Sequence, residues 1–553
     1  MISEKPWLDH YPEGVPHNVD SDLSATTVVE LFQNACSEFS DQTSFISMGR
    51  ELTYGELKHT ATTFASYLQS LKLEPGFRVA IMMPNLIQYP VSIFGTLIAG
   101  GTVVNVNPLY TARELKHQLK DSGVEVIVIL ENFAHILQEV IAETSVKHVV
   151  VTPMGELLSP IKKIIVNFVI RHLKKMVPAW KLPGSIDLKT ALLIGDDRVF
   201  DPVTVVPDDI AFLQYTGGTT GVSKGAVLKH KNITTNVKQA KAWITPAVKV
   251  GEECILTPLP LYHIFALTAN CLTFMSLGAK ILLIVNPRDI PAVIKEWSKY
   301  PVTAVTGVNT LFNAFNNHED FPSLDFSTMN IALAGGMALQ SGVAKQWRKI
   351  TDVPIFHAYG LTETSPAVTI MPTDDPEYNG SIGLPLPSTE ITIRDDNDNI
   401  LELEETGEIC VRGPQVMEKY WQRPDETAIV MTQDGFLKTG DIGRIDSKGF
   451  VYLIDRKKDM IIVSGFNVYP NEIEDVASSH PLVLEVAAIG VPDEKTGEAV
   501  KLFVVRKEDT LSEQVITSHC RESLTAYKVP KIIEFRDSLP KTNVGKILRR
   551  GLR

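Results

Sequence analysis

Cysteine is scarce. The 553-residue chain holds five, Cys36, Cys254, Cys271, Cys410 and Cys520, an odd number with no CxxC pair. That argues against a disulfide framework or a zinc site and fits a reducing cytosol. The opening residues, MISEKPWLDHYPEG, lack the apolar core of a secretory leader. Positive charge is in deficit: 53 Lys+Arg against 65 Asp+Glu leave a net charge of −12. A nucleic-acid binder needs a basic face to neutralise phosphates, so broad polyanion binding is excluded. A small anionic ligand needs only a local cationic site and is still allowed. Repeats and low-complexity tracts are missing, and 44% apolar with 21% charged residues is an ordinary globular composition.

Two stretches, 79–112 and 254–279, carry no charge and are long enough to cross a bilayer. Prolines and polar residues interrupt both: Pro84, Asn85, Pro90 and Asn107 in the first, Pro258, Pro260, His263 and Asn270 in the second. They read as buried strand–turn–helix segments of a large core. Residues 53–73 read as a helix, with Thr53 and Glu56 in capping-box spacing and Leu57, Ala61, Phe64 and Leu68 on one face. Strands are expected at 78–83, 102–106, 124–130 and 148–152, with helices between them, an alternation that implies parallel sheets covered by helices. After about residue 440 short strands surround one helix near 511–524, the texture of a small α+β unit.

Residues 159–186 depart from the average charge. Lys162, Lys163, Arg171, Lys174, Lys175 and Lys181 occur with no acidic residue, interleaved with Ile164, Ile165, Phe168 and Ile170. A basic amphipathic helix is a membrane-surface pattern; the competing reading is an excursion whose apolar side packs on its own domain.

The most informative run is YTGGTTGVSKG, residues 215–225. Its glycines let backbone N–H groups approach an anion, its hydroxyls add donors and Lys224 adds charge, which is the chemistry for holding a triphosphate. Walker A spacing fails because Lys224 follows Ser223 rather than glycine. GVSKG matches GxSxG, but the residues after it, 226–228, read as strand, whereas a nucleophile elbow turns directly into a helix.

This loop resembles the phosphate loop of the adenylate-forming acyl- and aryl-CoA synthetases, the superfamily of firefly luciferase and nonribosomal adenylation domains. Other motifs of that superfamily follow in order: PLYHIFAL (260–267), ALAGGMAL (332–339), YGLTETSP (359–366), GEICVRGPQVMEKYW (407–421), KTGD (438–441), DRKKDMIIVSGFNVYPNEIE (455–474) and LPKTNVGKILRR (539–550). The block 434–476, together with VNTLFNAFNN (308–317) and PWLDHYPEGVP (6–16), resembles bacterial long-chain fatty-acid–CoA ligases more narrowly. The resemblance implies an α/β fold: a large N-terminal domain, residues 1–457, of parallel-rich sheets sandwiched with helices plus a distorted barrel, and a small mobile α+β C-terminal domain, residues 458–553.

It implies a two-step reaction in which a carboxylate attacks the α-phosphorus of ATP and the thiol of CoA then displaces AMP. A fatty carboxylate is already ionised at pH 7, so the first step needs positioned positive charge rather than a general base. By resemblance Lys546 supplies it. Thr216 and Glu363 resemble the Mg²⁺-holding positions, a hard-oxygen site. Gly217, Gly218, Thr219, Thr220, Gly221 and Lys224 belong to the ATP loop. Tyr359 resembles the residue stacked on adenine, with Gly335, Gly336, Gly360 and Thr362 close by. Asp441 resembles the acceptor of the ribose hydroxyls, assisted by Arg456. Outside these motifs a glutamate is ordinarily solvated, a TGD is a turn and a histidine in an apolar stretch is a satisfied core residue.

His263 matches the family histidine where acyl group and thiol meet, in a positioning role. Leu267 stands where some relatives carry an aromatic gate, which puts such a gate in doubt. Lys458 matches the hinge about which the small domain rotates between half-reactions, and Ser464, Gly465 and Phe466 match the strand facing the CoA tunnel. The expected ligands are fatty acid, ATP with Mg²⁺, and CoA, with no nucleic acid and a homodimer admitted. The expected location is the cytoplasm, with peripheral contact at the inner face of the membrane through 159–186. An aryl- or medium-chain acid–CoA ligase is the alternative within the superfamily.

Overall fold

The computed structural model describes residues 5–19, 26–216, 223–375, 379–542 and 544–553. The capping box read at Thr53 and Glu56 forms and starts the helix Tyr54–Ser70, and a second box, Thr111 with Glu114, starts the helix Ala112–Ser122.

Two large sheets form the N-terminal body. A seven-stranded sheet runs Ile186–Asp187, His148–Thr152, Val126–Leu130, Arg78–Met82, Thr102–Asn105, Ile210–Thr216, Lys224–Lys229, parallel except for the last pair. A nine-stranded sheet has the parallel centre Ile355–Gly360, Ile331–Gly335, Ala304–Gly307, Cys254–Thr257, Lys280–Leu283, Thr43–Ser47, with antiparallel strands at both edges. Both faces of such sheets are covered, so their strands are continuous apolar runs. The two uncharged stretches supply several of these strands and the wholly buried helix Gln88–Ile98. All five cysteines are buried and free, and among the described residues no helix is long and apolar enough to cross a membrane.

The expected distorted barrel is represented by a four-stranded antiparallel sheet, Glu390–Arg394, Gly407–Arg412, Leu437–Ile445, Val451–Arg456. A tight turn at 457–459 then leads to a separate sheet built on the hairpin Val483–Asp493 with Gly497–Arg506. This C-terminal unit has its own core, around Val486, Leu502 and Ile516. It carries two helices rather than the single one expected, Pro470–Ser478 as well as Glu513–Ser523. The first escaped notice because it is short and opens with proline inside a motif that reads as loop.

The basic segment forms a helix, Pro160–Phe168, continued by the wider turn Val169–Leu173. Most of its apolar side does not pack on the protein: Ile161 is 73%, Ile164 70% and Leu173 67% exposed, while Ile170 alone among the segment's named apolar residues is buried. The reading in which that side is covered by its own domain is therefore overturned.

Candidate active site

The phosphate loop joins two antiparallel strands, with Thr216 opposite Lys224 in register. A strand, not a helix, follows it, which removes the nucleophile-elbow alternative. Gly217, Gly218, Thr219, Thr220 and Gly221 lie outside the described residues. The loop is braced from below: the Tyr215 hydroxyl donates to Asp121 Oδ2 at 2.7 Å, Arg423 pairs with the same carboxylate, and Trp421 Nε1 donates to the Asp121 carbonyl at 3.1 Å. Lys224 is paired with Glu426 and stands 5.3 Å from the centre of the Tyr420 ring.

Thr216, Gly335, Tyr359 and Gly360 all fall at carboxyl ends of strands, where open α/β sheets bind ligands. Gly360 is required by packing, since a Cβ there would lie 1.9 Å from the Pro366 carbonyl oxygen. The short helical turn Thr362–Thr364 presents Glu363, whose Oε1 accepts from the Tyr420 hydroxyl at 2.6 Å. Tyr359 donates its hydroxyl to Asp441 Oδ2 at 2.7 Å, and Arg456 Nε lies 3.2 Å from Asp441 Oδ1. Burial raises the Asp441 carboxyl above its usual range, opposed chiefly by Arg456. Asp441 thus sits behind Tyr359, with both oxygens engaged.

Most of these residues meet in a cavity of about 380 Å³, which Asp441 itself does not line. Its polar lining includes Thr216, Lys224, Glu363, Tyr359, Arg456 and Lys546. Its apolar lining includes Ile244, Phe274, Val305, Ile331 and Ile370. A larger open hollow of about 600 Å³ around Tyr300 and Asp320 holds none of the motif residues.

Lys546 reaches this cavity from the C-terminal unit. Its Cε would lie 2.9 Å from a Cβ built on Gly336, which holds φ +79°. The Thr310 hydroxyl donates to the neighbouring Gly545 carbonyl at 2.8 Å and fixes the approach. Burial, with Arg456 adding repulsion, pulls the Lys546 ammonium down to about 8, and Asp441 partly offsets this.

His263 lines the same cavity. Burial, helped by Lys546, lowers it to about 3, so it is neutral. Its Nδ1 accepts from the Phe265 N–H at 3.3 Å, which leaves the proton on Nε2 as a donor.

Leu267 is fully buried behind the wall. Phe265 is the aromatic residue of the PLYHIFAL motif, after His263, that lines the cavity, its ring carbon 3.0 Å from a Cβ built on Gly335. The Phe lay in plain view within PLYHIFAL, but helix phase decides which side chain turns inward, and this segment runs into the wide turn Ala266–Thr273. Tyr420 and Asp121 were also missed, because each acts through a partner distant in sequence.

Two groups of expected residues lie elsewhere. Lys458 occupies the turn between the two final sheets, where burial lowers its ammonium and Arg456 adds repulsion. Ser464 and Gly465 are not strand residues but the turn between Ile461–Val463 and Phe466–Val468, at φ +53° and +83°. Phe466 is exposed and stacked on Tyr527 with ring centres 4.8 Å apart. None of the three lines the cavity in this arrangement.

Similarity to known proteins agrees with this layout. The AMP-binding enzyme family matches residues 32–421, and the AMP-binding enzyme C-terminal domain matches 472–546. A long-chain-fatty-acid–CoA ligase of Yersinia pestis is 55% identical over 551 residues, covering 100% of this chain and 98% of the relative. A protein of the same name from Escherichia coli O157:H7 is 53% identical with the same coverage. An anthranilate–CoA ligase solved with anthranoyl-AMP shares the fold, with a TM-score of 0.84 at 24% identity over 95% of this chain and 96% of that one. ATP-bound MatB from Rhodopseudomonas palustris gives a TM-score of 0.79 at 26% identity, covering 95% and 98%.

Proposed function

The chain belongs to the AMP-binding enzyme family, as a long-chain fatty-acid–CoA ligase, and from that premise we propose how its residues divide the reaction. The apolar lining of the cavity takes the alkyl chain and the polar lining holds the carboxylate. There the carboxylate oxygen bonds to the α-phosphorus of ATP, the bridge to the β-phosphate breaks, and pyrophosphate leaves. Lys546 offsets the negative charge that gathers as two anions meet, in an enclosed site where a cation is worth more than in water. Arg456 and Asp441 hold the ribose, Tyr359 lies under adenine, and Lys224 exchanges Glu426 for phosphate.

Mg²⁺ enters with ATP. Among the described residues no group of three or more His, Cys, Asp or Glu forms a metal cage, and Mg²⁺ is commonly held by one or two carboxylates plus substrate phosphates. Glu363, already oriented by Tyr420, and the Thr216 hydroxyl are the oxygen donors in the polar lining that fit it. When bound it neutralises phosphate charge.

In the second half-reaction the CoA sulfur bonds to the acyl carbonyl and AMP leaves with its phosphate oxygens. The small domain, residues 458–553, rotates about Lys458 for this step, bringing Ser464, Gly465 and Phe466 to the thiol. His263, neutral and donating through Nε2, orients the acyl carbonyl.

The observation that carries this reading is Lys546 laid on Gly336, both lining a cavity that also has an apolar lining. The test is pyrophosphate release against thioester yield over C6 to C18 acids and 4-coumarate. Thioester formation favouring the long acids supports it. Preference for 4-coumarate favours the aryl alternative.

The Pro160–Phe168 helix meets the inner surface of the membrane. It is held with its apolar side outward: Lys163 pairs with Glu156, Arg171 pairs with Glu131 at 2.6 Å, and Lys162 donates to the Met48 and Gly49 carbonyls at 3.2 Å. Three of the six cations are thus spent internally, and the exposed Lys174, Lys175 and Lys181 face outward for lipid phosphates.

A further inference from the structure

The helix Ser341–Thr351 has no cap of its own. Its N-cap residue, Gln340, makes no side-chain cap bond: its Oε1 accepts from Asn309 Nδ2 at 3.0 Å, while its backbone N–H donates to Asn309 Oδ1 at 3.0 Å. The first N–H groups of a helix need acceptors, and a carboxylate there also complements the helix dipole. The acceptor comes from the other domain. Asp475, on the helix Pro470–Ser478, takes bonds on Oδ1 from the Ser341 N–H at 3.0 Å and the Ser341 hydroxyl at 3.2 Å.

The capped turn begins five residues beyond Gly336, the residue on which Lys546 is laid. One domain therefore grips the same loop twice, with Asp475 at the start of the helix and Lys546 on the glycine. Asn313 Nδ2 to the Leu484 carbonyl at 2.8 Å, and Thr310 to Gly545, complete the contact.

We propose that Asp475 is a positioning residue for acyl-adenylate formation: its carboxylate caps the Ser341–Thr351 helix only in the arrangement that delivers Lys546, and so favours that arrangement over the one used for thioester formation. The inference rests on rotation of the small domain between half-reactions. The cap is lost whenever Asp475 moves away, and a helix cap is worth about 1 kcal/mol, or about fivefold in the balance between arrangements.

The experiment compares Asp475→Ala, Asp475→Asn and Ser341→Pro in the full chain. Proline is tolerated as the first helical residue, Gln340 already has the extended backbone that must precede it (φ −75°, ψ 135°), and the change deletes both donors without touching Asp475. Fatty-acid-dependent ATP–pyrophosphate exchange reads the first half-reaction, and thioester formed from supplied palmitoyl-adenylate and CoA reads the second. Asp475→Ala and Ser341→Pro should each slow exchange about fivefold and leave thioester formation unchanged or faster. Asp475→Asn, which keeps an acceptor oxygen, should lose less.

Exchange within twofold of the parent for both Asp475→Ala and Ser341→Pro, equal loss in both halves, or Asp475→Asn as slow as Asp475→Ala would overturn the proposal. Lys546→Ala run alongside separates the two claims. If it fails to split the halves, the rotation itself is wrong. If it splits them and Asp475→Ala does not, only the role of Asp475 falls.

Discussion

Lys546 lies across Gly336: a Cβ at position 336 would stand 2.9 Å from Lys546 Cε and 3.2 Å from its Nζ, at a backbone φ of +79°. The lysine proposed to neutralise the reacting anions is therefore seated on a position that only glycine fills without cost. Gly336→Ala combines a strained backbone, about 1–2 kcal/mol, with displacement of the ammonium. Adenylate formation should fall at least about tenfold, while thioester formation from supplied acyl-adenylate is retained. Stopped assays of the two halves measure this.

The pH dependence of the first half-reaction follows from the same contact. Burial holds Lys546 at about 8 in the free enzyme, and only its charged form can neutralise phosphate. Activity is thus full well below pH 8 and lost as pH rises through it. The profile of kcat/KM for pyrophosphate exchange should bend down near pH 8 and approach a tenfold loss per unit above it. Lys546→Arg, ionised throughout, should lack that bend at whatever residual rate it supports.

If the alkyl chain occupies the apolar part of the cavity, its lining sets chain length. Ala269 belongs to that lining, with Thr268 and Thr273. Ala269→Phe fills space that a long alkyl chain needs and a short one does not. We expect kcat/KM for palmitate to fall by about tenfold or more, at a packing cost of about 1–3 kcal/mol, with octanoate little affected. Equal loss for both acids would place the alkyl chain elsewhere.

The exposed basic helix gives a binding prediction. Each lysine near an anionic surface contributes about 1 kcal/mol. Replacing Lys174, Lys175 and Lys181 with Gln should weaken partitioning onto phosphatidylglycerol–phosphatidylethanolamine vesicles by about two orders of magnitude, and Ile161→Ser with Ile164→Ser should weaken it with little dependence on salt. Co-sedimentation measures both. Binding unchanged in both variants would rule out this surface.

What could be read ahead of the structure depended on the distance between partners. Thr53 with Glu56 is a local pair, and its helix begins where the spacing put it. The glycine-rich hairpin was legible because its composition is its function. Tyr420 with Glu363 spans 57 residues, Tyr215 with Asp121 spans 94, and Ser341 with Asp475 spans 134. No periodicity encodes such meetings, so the groups that orient Glu363, brace the phosphate loop and cap the Ser341–Thr351 helix became visible only in the fold. That Phe265 rather than Leu267 lines the cavity was hidden in the same way, since a wide helical turn resets which side chains face inward. The second helix of the C-terminal unit, Pro470–Ser478, was hidden by its brevity.

The most direct test of the account is Lys546→Ala assayed on each half-reaction separately. Pyrophosphate exchange with palmitate should fall by at least about a thousandfold, about 4 kcal/mol of lost transition-state stabilisation. Thioester formation from supplied palmitoyl-adenylate and CoA should stay within about twofold of the parent. Equal loss in the two halves would contradict the assignment of Lys546 to adenylation, and with it the division of labour between the two arrangements of the small domain.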